Sequence, residues 1–413
     1  MDVKPSIVFV DDQNNILQGF RRQLRNLESE WNIHYSIGGK ETLRLMESTP
    51  IDVIVSDTNM PGMRGTELLK EVQNLYPQTT RLVLSGGGSR SDDISILLRT
   101  SHQFFSKPFD IDKLKKTVDR LLMLRERVGD KKLVTLVSSI SKLPCSPHIY
   151  AAFKKEREGS SADLDKMGAY IAQDPGLTAK MLQSLNSTYF GVNKAGIHPF
   201  KAAQSMGPGT INYLFDEDAH FHTIEQNHPN YAFLAKVYKQ SLHAACLLEA
   251  LAAAENLPES LKNIAYTTGM LGNAGTIILA CGLPEAYAKL TPDFKSPAQQ
   301  EQVEKKALGA THAAVGAYFL GLWGFPEATC TAVGYCQMPD KAMSGGAAQK
   351  APDLTALLHV TQALVQADDI ETQKSFLNMP HLESLGLGDK VQKWHDLDRN
   401  EIRILPALQN WTF

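Results

Sequence analysis

Five short apolar runs, near residues 6–10, 33–37, 52–56, 80–84 and 102–105, divide the first third of this chain. Helical patterns fall between and after them, near 14–28, 40–48, 65–76, 90–100 and 110–127. Such alternation leaves few architectures. The runs are expected to join as one parallel sheet with helices on both faces. In open sheets of this kind, chemistry collects beyond the carboxyl ends of the strands. The third run, Asp52-Val-Ile-Val-Ser56, leads into Asp57, and Pro61-Gly62 then turns the chain. Asp57 is therefore expected at the tip of a buried strand.

The other runs end on residues that complement a carboxylate. Ile7-Val-Phe-Val10 leads into Asp11-Asp12, Arg81-Leu-Val-Leu84 into Ser85, and Phe104-Phe-Ser106 into Lys107-Pro108-Phe109. An acidic pair beside Asp57 suits Mg²⁺, a hard cation that takes oxygen ligands and neutralises phosphoryl oxygens. The Ser85 hydroxyl and the Lys107 ammonium suit those same oxygens. Proline after the lysine suits a fixed turn with a cis bond. One aspartate at a strand end is ordinary. Five matched residues in this order are the parts of phosphoryl transfer to a carboxylate.

These residues resemble a response-regulator receiver domain over roughly residues 4–127. The resemblance implies that Asp57 accepts phosphate from a histidine kinase as an aspartyl phosphate. It implies that Asp11, Asp12 and Asp57, with the backbone carbonyl of Asn59, hold Mg²⁺, and that Ser85 and Lys107 read the phosphoryl group. It also implies a rotamer switch at the aromatic residue three before the lysine, here Phe104. Phe lacks the more common Tyr hydroxyl, so this switch would work by packing alone. Gly86-Gly87-Gly88 is unusual after the serine and suits a loop that must move. The plainer alternative is a degenerate receiver that never meets a kinase.

The whole chain has 413 residues, a formal charge of −3 and 21% charged residues. Two or three domains are expected. Neither a basic nucleic-acid footprint nor an acidic tail is evident. Asp11 and Asp12 interrupt the first apolar run, so no signal segment is expected there, and no run of about 18 apolar residues suggests a membrane span. Cys145, Cys246, Cys281, Cys330 and Cys336 show no C-x-x-C spacing. They read as reduced, mostly buried thiols of a cytoplasmic protein. After Gly129 the pattern becomes Ala- and Leu-rich, helical and punctuated by proline. The expected division is a doubly wound α/β domain over 1–127 and an all-α domain over 128–413. The latter has a core at 133–340 and a C-terminal helical segment at 353–413, with the loop-like Ser344–Pro352 between them. The last helix of the first domain is expected to continue through Arg125-Glu-Arg127 towards Lys131.

Within the helical region, Asp174 can cap a helix whose first turn holds Pro175. Leu177, Met181, Leu182 and Leu185 then form an apolar stripe. Core and cap roles account for these residues. The order of Asp174-Pro-Gly-Leu-Thr-Ala-Lys-Met-Leu-Gln-Ser-Leu-Asn-Ser187 resembles the HDOD family, a non-catalytic relative of HD-type phosphohydrolases, over roughly residues 133–340. An active relative would hold metal with histidines and a His-Asp pair on neighbouring helices. Here His243 matches the first histidine and His312 a later one. The His-Asp pair falls on Gly272-Asn273, and the paired histidines fall near Tyr335-Cys336. Other readings remain at this point: a metal held by His243 and His312 with Cys336, or a weaker cluster at His220, His222 and His228 on a solvated loop. His395-Asp396 is far from the family position.

The resemblance therefore implies a non-catalytic response regulator acting by protein–protein interaction. Its partners would be a histidine kinase or phosphotransfer protein, a downstream signalling protein and, through the receiver, a second copy. The alternative is an HD-type metal-dependent phosphohydrolase or cyclic-dinucleotide phosphodiesterase. Binding of nucleic acid and insertion into a membrane are not expected.

Overall fold

A computed structural model describes residues 4–86, 91–108, 110–159, 163–186, 197–215, 220–343 and 353–413, and only the backbone at 91–94, 213–215 and 343. Gly87-Gly88, Phe109, Ser187–Phe190 and the stretch 344–352 lie outside the described residues. The chain divides into two compact units. One comprises Met1–Ser141 with the short segments Gln183–Lys194 and Gly321–Gly324, and the other comprises Lys142–Leu182, Ala195–Leu320 and Phe325–Phe413.

In the first unit the five expected strands form: β1 (Ser6–Asp11), β2 (Asn32–Ile37), β3 (Val53–Asp57), β4 (Thr80–Ser85) and β5 (Gln103–Ser106). The helices are α1 (Asn14–Leu24), α2 (Gly39–Ser48), α3 (Gly65–Leu75), α4 (Ser91–Thr100), α5 (Ile111–Val128) and α6 (Lys131–Ser139). The strands pair in parallel in the order β2-β1-β3-β4-β5. Ile7–Val10, Val53–Val55 and Leu82–Leu84 are fully buried, as a sheet covered on both faces requires. Alternate residues Val8, Val10, Ile54 and Val83 share a core cluster with Leu68 and Leu69 of α3 and Leu97 of α4. Phe9 faces the other way and meets Phe20 of α1 at 5.5 Å between ring centroids.

The register places Val10 opposite Ser56, so Asp11 and Asp57 leave neighbouring strands side by side. This is the point at which the strand order reverses, where such sheets open a crevice. The backbone at Asp57 is also crowded. A Cβ placed on Gly65, the first residue of α3, would lie 2.0 Å from the Asp57 carbonyl oxygen. Glycine is what lets α3 begin directly against the end of β3.

One expectation at the end of this unit needs correction. The last helix of this unit continues through Arg125–Arg127, as expected, but ends at Val128 and does not join the helix that starts at Lys131. Gly129, with φ of 74°, stops α5, and its N–H donates to the Arg125 carbonyl. Asp130 then starts a new helix, its carboxylate accepting from the N–H groups of Lys132 (2.9 Å) and Leu133 (3.0 Å). Arg125–Arg127 stay helical inside α5, and the capping residues Gly129 and Asp130 separate it from α6. The compact unit also extends to Ser141, beyond the 127/128 division expected from the sequence.

The second unit is built from helices, with their caps as expected from the sequence in the clearest case. It holds α7 (Pro147–Arg157), α8 (Leu164–Ala172), α9 (Pro175–Asn186) as far as Leu182, α10 (Pro199–Phe215), α11 (Tyr231–Ala254), α12 (Glu259–Leu271) and α13 (Ala274–Gly282). There follow α14 (Pro284–Ala288), α15 (Pro297–Leu308), α16 (His312–Leu322) as far as Leu320, α17 (Glu327–Tyr335) and α18 (Leu354–Gln366). Short helices α19 (Ile370–Ser375), α20 (Met379–Ser384), α21 (Val391–Leu397) and α22 (Pro406–Gln409) complete the C-terminal segment, with a π-turn at Asp398–Ile402 after α21. Asp174 caps α9 through Leu177 N–H (2.9 Å) and holds Ser146 N–H with its other oxygen (2.7 Å). Burial pushes its pKa up to about 6, against the lowering effect of these bonds. Leu177, Met181, Leu182 and Leu185 are all buried. Among the described residues one helical stretch, Glu259–Gly282, is long and apolar enough to cross a membrane, and it is 89% buried inside this unit.

Gly65→Ala is expected to destabilise the first unit by about 1–3 kcal/mol, the usual cost of overpacking. Urea unfolding of the full chain checks this, and wild-type stability in the variant would contradict the close approach of α3 to β3.

Candidate functional site

The crevice at the end of β1 and β3 is organised by one cation. Lys107 follows β5, and its ammonium lies 2.8 Å from Asp11 Oδ2 and 2.6 Å from Asp57 Oδ1. Asp11 is 1% exposed and Asp57 7%. Two adjacent buried carboxylates repel each other unless a cation intervenes. Burial disfavours the Lys107 charge, but hydrogen bonds and attraction from Asp11 and Asp57 outweigh it and raise its pKa. The second oxygens are held by the backbone: Gln13 N–H donates to Asp11 Oδ1 (2.9 Å), and Asn59 N–H donates to Asp57 Oδ2 (2.8 Å). Asp57 is thereby fixed in orientation while keeping slight access to solvent. The Lys107–Pro108 peptide is cis.

Ser85 ends β4. It pairs with Ser106, and its carbonyl accepts the Lys107 N–H at 2.8 Å. Leu84 lies opposite Asp57 in the ladder, which brings Ser85 one residue past the carboxylate. Phe104 is partly buried against the cluster containing Val83 and Leu97. Asp12 is half-buried beside Asp11 and, among the described residues, takes no part in the Lys107 ion pairs. Among those residues no group of three or more His, Cys, Asp or Glu stands close enough together to hold a metal ion. The donor type is nevertheless that of a hard cation: the oxygens of Asp11 and Asp57 converge on one point, which the Lys107 ammonium occupies in this structure.

The helical unit treats its surviving histidines differently. His243 Nε2 lies 2.5 Å from Asp398 Oδ1, an aspartate in the C-terminal segment with no exposed surface. Arg403 Nε donates to the other oxygen, Oδ2, at 2.7 Å. Burial disfavours the Asp398 charge, but His243 and Arg403 outweigh it, so its pKa is lowered. Gly272 offers no ligand atom, and a Cβ there would meet Gln362 Nε2 at 2.8 Å. Asn273 donates to Ser241 Oγ at 3.2 Å.

His312 belongs to a separate cluster. Its backbone N–H and Nδ1 both lie 2.7 Å from Glu304 Oε2, while Tyr287 (2.6 Å) and Gln300 (2.9 Å) donate to Glu304 Oε1. Burial opposes both charges, but their mutual attraction wins: His312 is raised and Glu304 lowered. Near Tyr335, burial pushes the Cys336 thiol up to about 12. The expected ligand candidates are thus dispersed into separate, internally satisfied pairs. Asp398 and Glu304 were missed from sequence because neither stands at a spacing that announces a histidine partner.

The second weak cluster also needs correction. His220 is fully buried, whereas His222 is exposed and His228 half-buried. The segment is held inward by Phe221, which packs on Tyr150 and Phe153, and by Cys145 N–H donating to the His222 carbonyl. His395 hydrogen-bonds Gln373 and has no role beside His243.

The family model for the response regulator receiver domain matches residues 7–119, and that for the HDOD domain matches residues 143–339. The chain joins a response regulator receiver domain to an HDOD domain. The receiver resembles the hydrogenase transcriptional regulatory protein HoxA of Cupriavidus necator, with 30% identity over 130 residues, covering 31% of this chain and 26% of that protein. The chain spans about a quarter of the length of the first curated relatives it matches. Among solved structures, the signal receiver domain of an HD domain-containing protein from Pseudomonas fluorescens is 30% identical. It covers 30% of this chain and 94% of its own, with a TM-score of 0.26. The MmoQ response regulator from Methylococcus capsulatus is 19% identical, covers 62% of this chain and 97% of its own, and has a TM-score of 0.46. A receiver joined to HDOD is the composition of a response regulator and fits a non-catalytic one.

Glu304→Gln leaves His312 without its counter-charge and is expected to cost about 3–5 kcal/mol near pH 6, as when one partner of a buried pair is removed. The raised His312 contributes stability below its unfolded pKa of about 6.5, and this is lost as pH rises through the folded value. The lowered Glu304 contributes above about 4.3, and that is lost as pH falls. Urea unfolding against pH should therefore show the largest deficit between those limits and a smaller one at alkaline pH. A deficit independent of pH would contradict the ion pair.

Proposed function

We propose that this chain is a response regulator whose only covalent chemistry is at Asp57 and whose HDOD domain acts by binding another protein. The observation that carries this reading is the Lys107 bridge between Asp11 and Asp57. It sets a cation between two carboxylates at a strand end, where an incoming phosphoryl group would meet it.

The donor is a phosphorylated histidine of a kinase or phosphotransfer protein. An Asp57 oxygen attacks phosphorus, the P–N bond breaks, and the imidazole leaves with the bond electrons and takes a proton. The product is an acyl phosphate on Asp57. Lys107 offsets the charge on the phosphoryl oxygens, and the Ser85 hydroxyl donates to one of them. Asp11, Asp12, Asp57 and the Asn59 carbonyl would hold Mg²⁺, which supplies further charge neutralisation when bound. Phe104 responds by repacking against Val83 and Leu97. In this reading residues 1–127 receive the signal in the cytoplasm and residues 128–413 deliver it, with self-association through the receiver as one route.

The HD-phosphohydrolase reading is disfavoured by how the remaining histidines are used. His243 is bound to Asp398 and His312 to Glu304. Both pairs are complete without metal, and Gly272-Asn273 offers no carboxylate.

Incubation with a small acyl phosphate and Mg²⁺ should add one phosphoryl group to the wild-type chain and none to Asp57→Asn, read by intact mass. Equal labelling of both would overturn the assignment. The same protein should bind no stoichiometric transition metal and show no phosphodiesterase turnover. Turnover that disappears in His243→Ala would favour the enzyme reading.

A further inference from the structure

Arg81 lies on β4, 1% exposed, and directs its donors at backbone carbonyls. Nε donates to Thr100 O (2.6 Å), Nη1 to Thr79 O (3.0 Å) and Pro77 O (3.3 Å), and Nη2 to Ser138 O (2.8 Å). His102, just before β5, is also buried. The Arg81 N–H donates to His102 Nδ1 at 3.0 Å, so the ring proton sits on Nε2. That N–H points at the same Ser138 carbonyl, 3.0 Å away. Arg81 Nη2 and His102 Nε2 stand 3.0 Å apart because both donate to one oxygen. Burial and then the Arg81 charge push the His102 pKa well below 6.5, which agrees with a neutral ring in this geometry.

Ser138 lies in the last turn of α6, where a helix leaves carbonyls without intrahelical partners. A buried cation and a neutral imidazole N–H therefore cap the negative end of this helix. The helix leads to residue 143, where the HDOD match begins.

The same two strands reach the phosphoacceptor at their other end. His102 N–H donates to the Arg81 carbonyl at 2.8 Å. The rungs Leu82–Gln103, Val83–Phe104, Leu84–Phe105 and Ser85–Ser106 follow, and Lys107 N–H closes the ladder on the Ser85 carbonyl. About five residues of strand, roughly 15 Å, separate the α6 cap from the residues that face Asp57.

We propose that Arg81 and His102 couple the state of Asp57 to α6. When Ser85 and Lys107 close on a phosphoryl group, β4 and β5 shift along their ladder and loosen the paired cap on Ser138. The cap is tight in this structure, with two donors converging on one oxygen. Displacement of either strand therefore lengthens at least one of its bonds. This rests on Asp57 being the phosphoacceptor.

Hydrogen exchange of the full chain, with and without beryllofluoride and Mg²⁺ as the phosphoryl mimic, tests it. In wild type, amides of Lys131–Ser139 should exchange at least roughly fivefold faster with the mimic, the lower end of ordinary coupling between sites. In Arg81→Lys, peptides around Ser85 and Lys107 should still respond, while α6 exchanges fast in both states. His102→Ala serves as the second variant should Arg81→Lys fail to fold, and the same loss is expected. An unchanged α6 in wild type, with a clear response at Ser85 and Lys107, overturns the coupling and leaves the receiver reading intact. So does a full α6 response in the folded variants. No response at Ser85 and Lys107 in wild type overturns the receiver reading and the coupling with it.

Discussion

The ammonium of Lys107, held between Asp11 and Asp57, is the interaction on which the receiver depends. The parallel sheet brings two acids to the ends of adjacent strands, an arrangement that is unfavourable in a buried crevice without a counter-charge. Lys107 comes from a third strand and is fixed by its own N–H on the Ser85 carbonyl. The sheet order, the burial of β1 and β3 and the close start of α3 at Gly65 all position this one contact. An arrangement that stabilises the acids also prepares them for an anionic phosphoryl group.

Much of this was readable from the chain. The strands end where the apolar runs end, and Asp11, Asp57, Ser85 and Lys107 gather because a parallel sheet aligns its carboxyl ends. The break at Gly129 was missed because Arg125–Arg127 keep a helical pattern right up to it, and only the backbone angle shows the stop. Asp398 lies 155 residues from His243, and no local periodicity links them. His220 looked like a loop residue among polar neighbours. Its burial depends on Phe221 finding Tyr150 and Phe153, which is a matter of tertiary packing.

The helical unit shows how largely buried histidines are satisfied by side chains from other elements. A lone imidazole in an apolar interior needs a hydrogen-bond partner. His243 has an aspartate and His312 a glutamate, supplied by different elements. In the proposed reading this domain's output is a surface, and Asp57 is the point where the chain receives a signal.

The central claim is that phosphate on Asp57 changes the arrangement or association of the chain rather than starting a second reaction. Small-angle scattering of the full chain, with and without beryllofluoride and Mg²⁺, tests this most directly. A change in the scattering profile of wild type that is absent in Asp57→Asn is the predicted result. Identical profiles in both proteins under both conditions, with mimic binding to wild type verified, would contradict it.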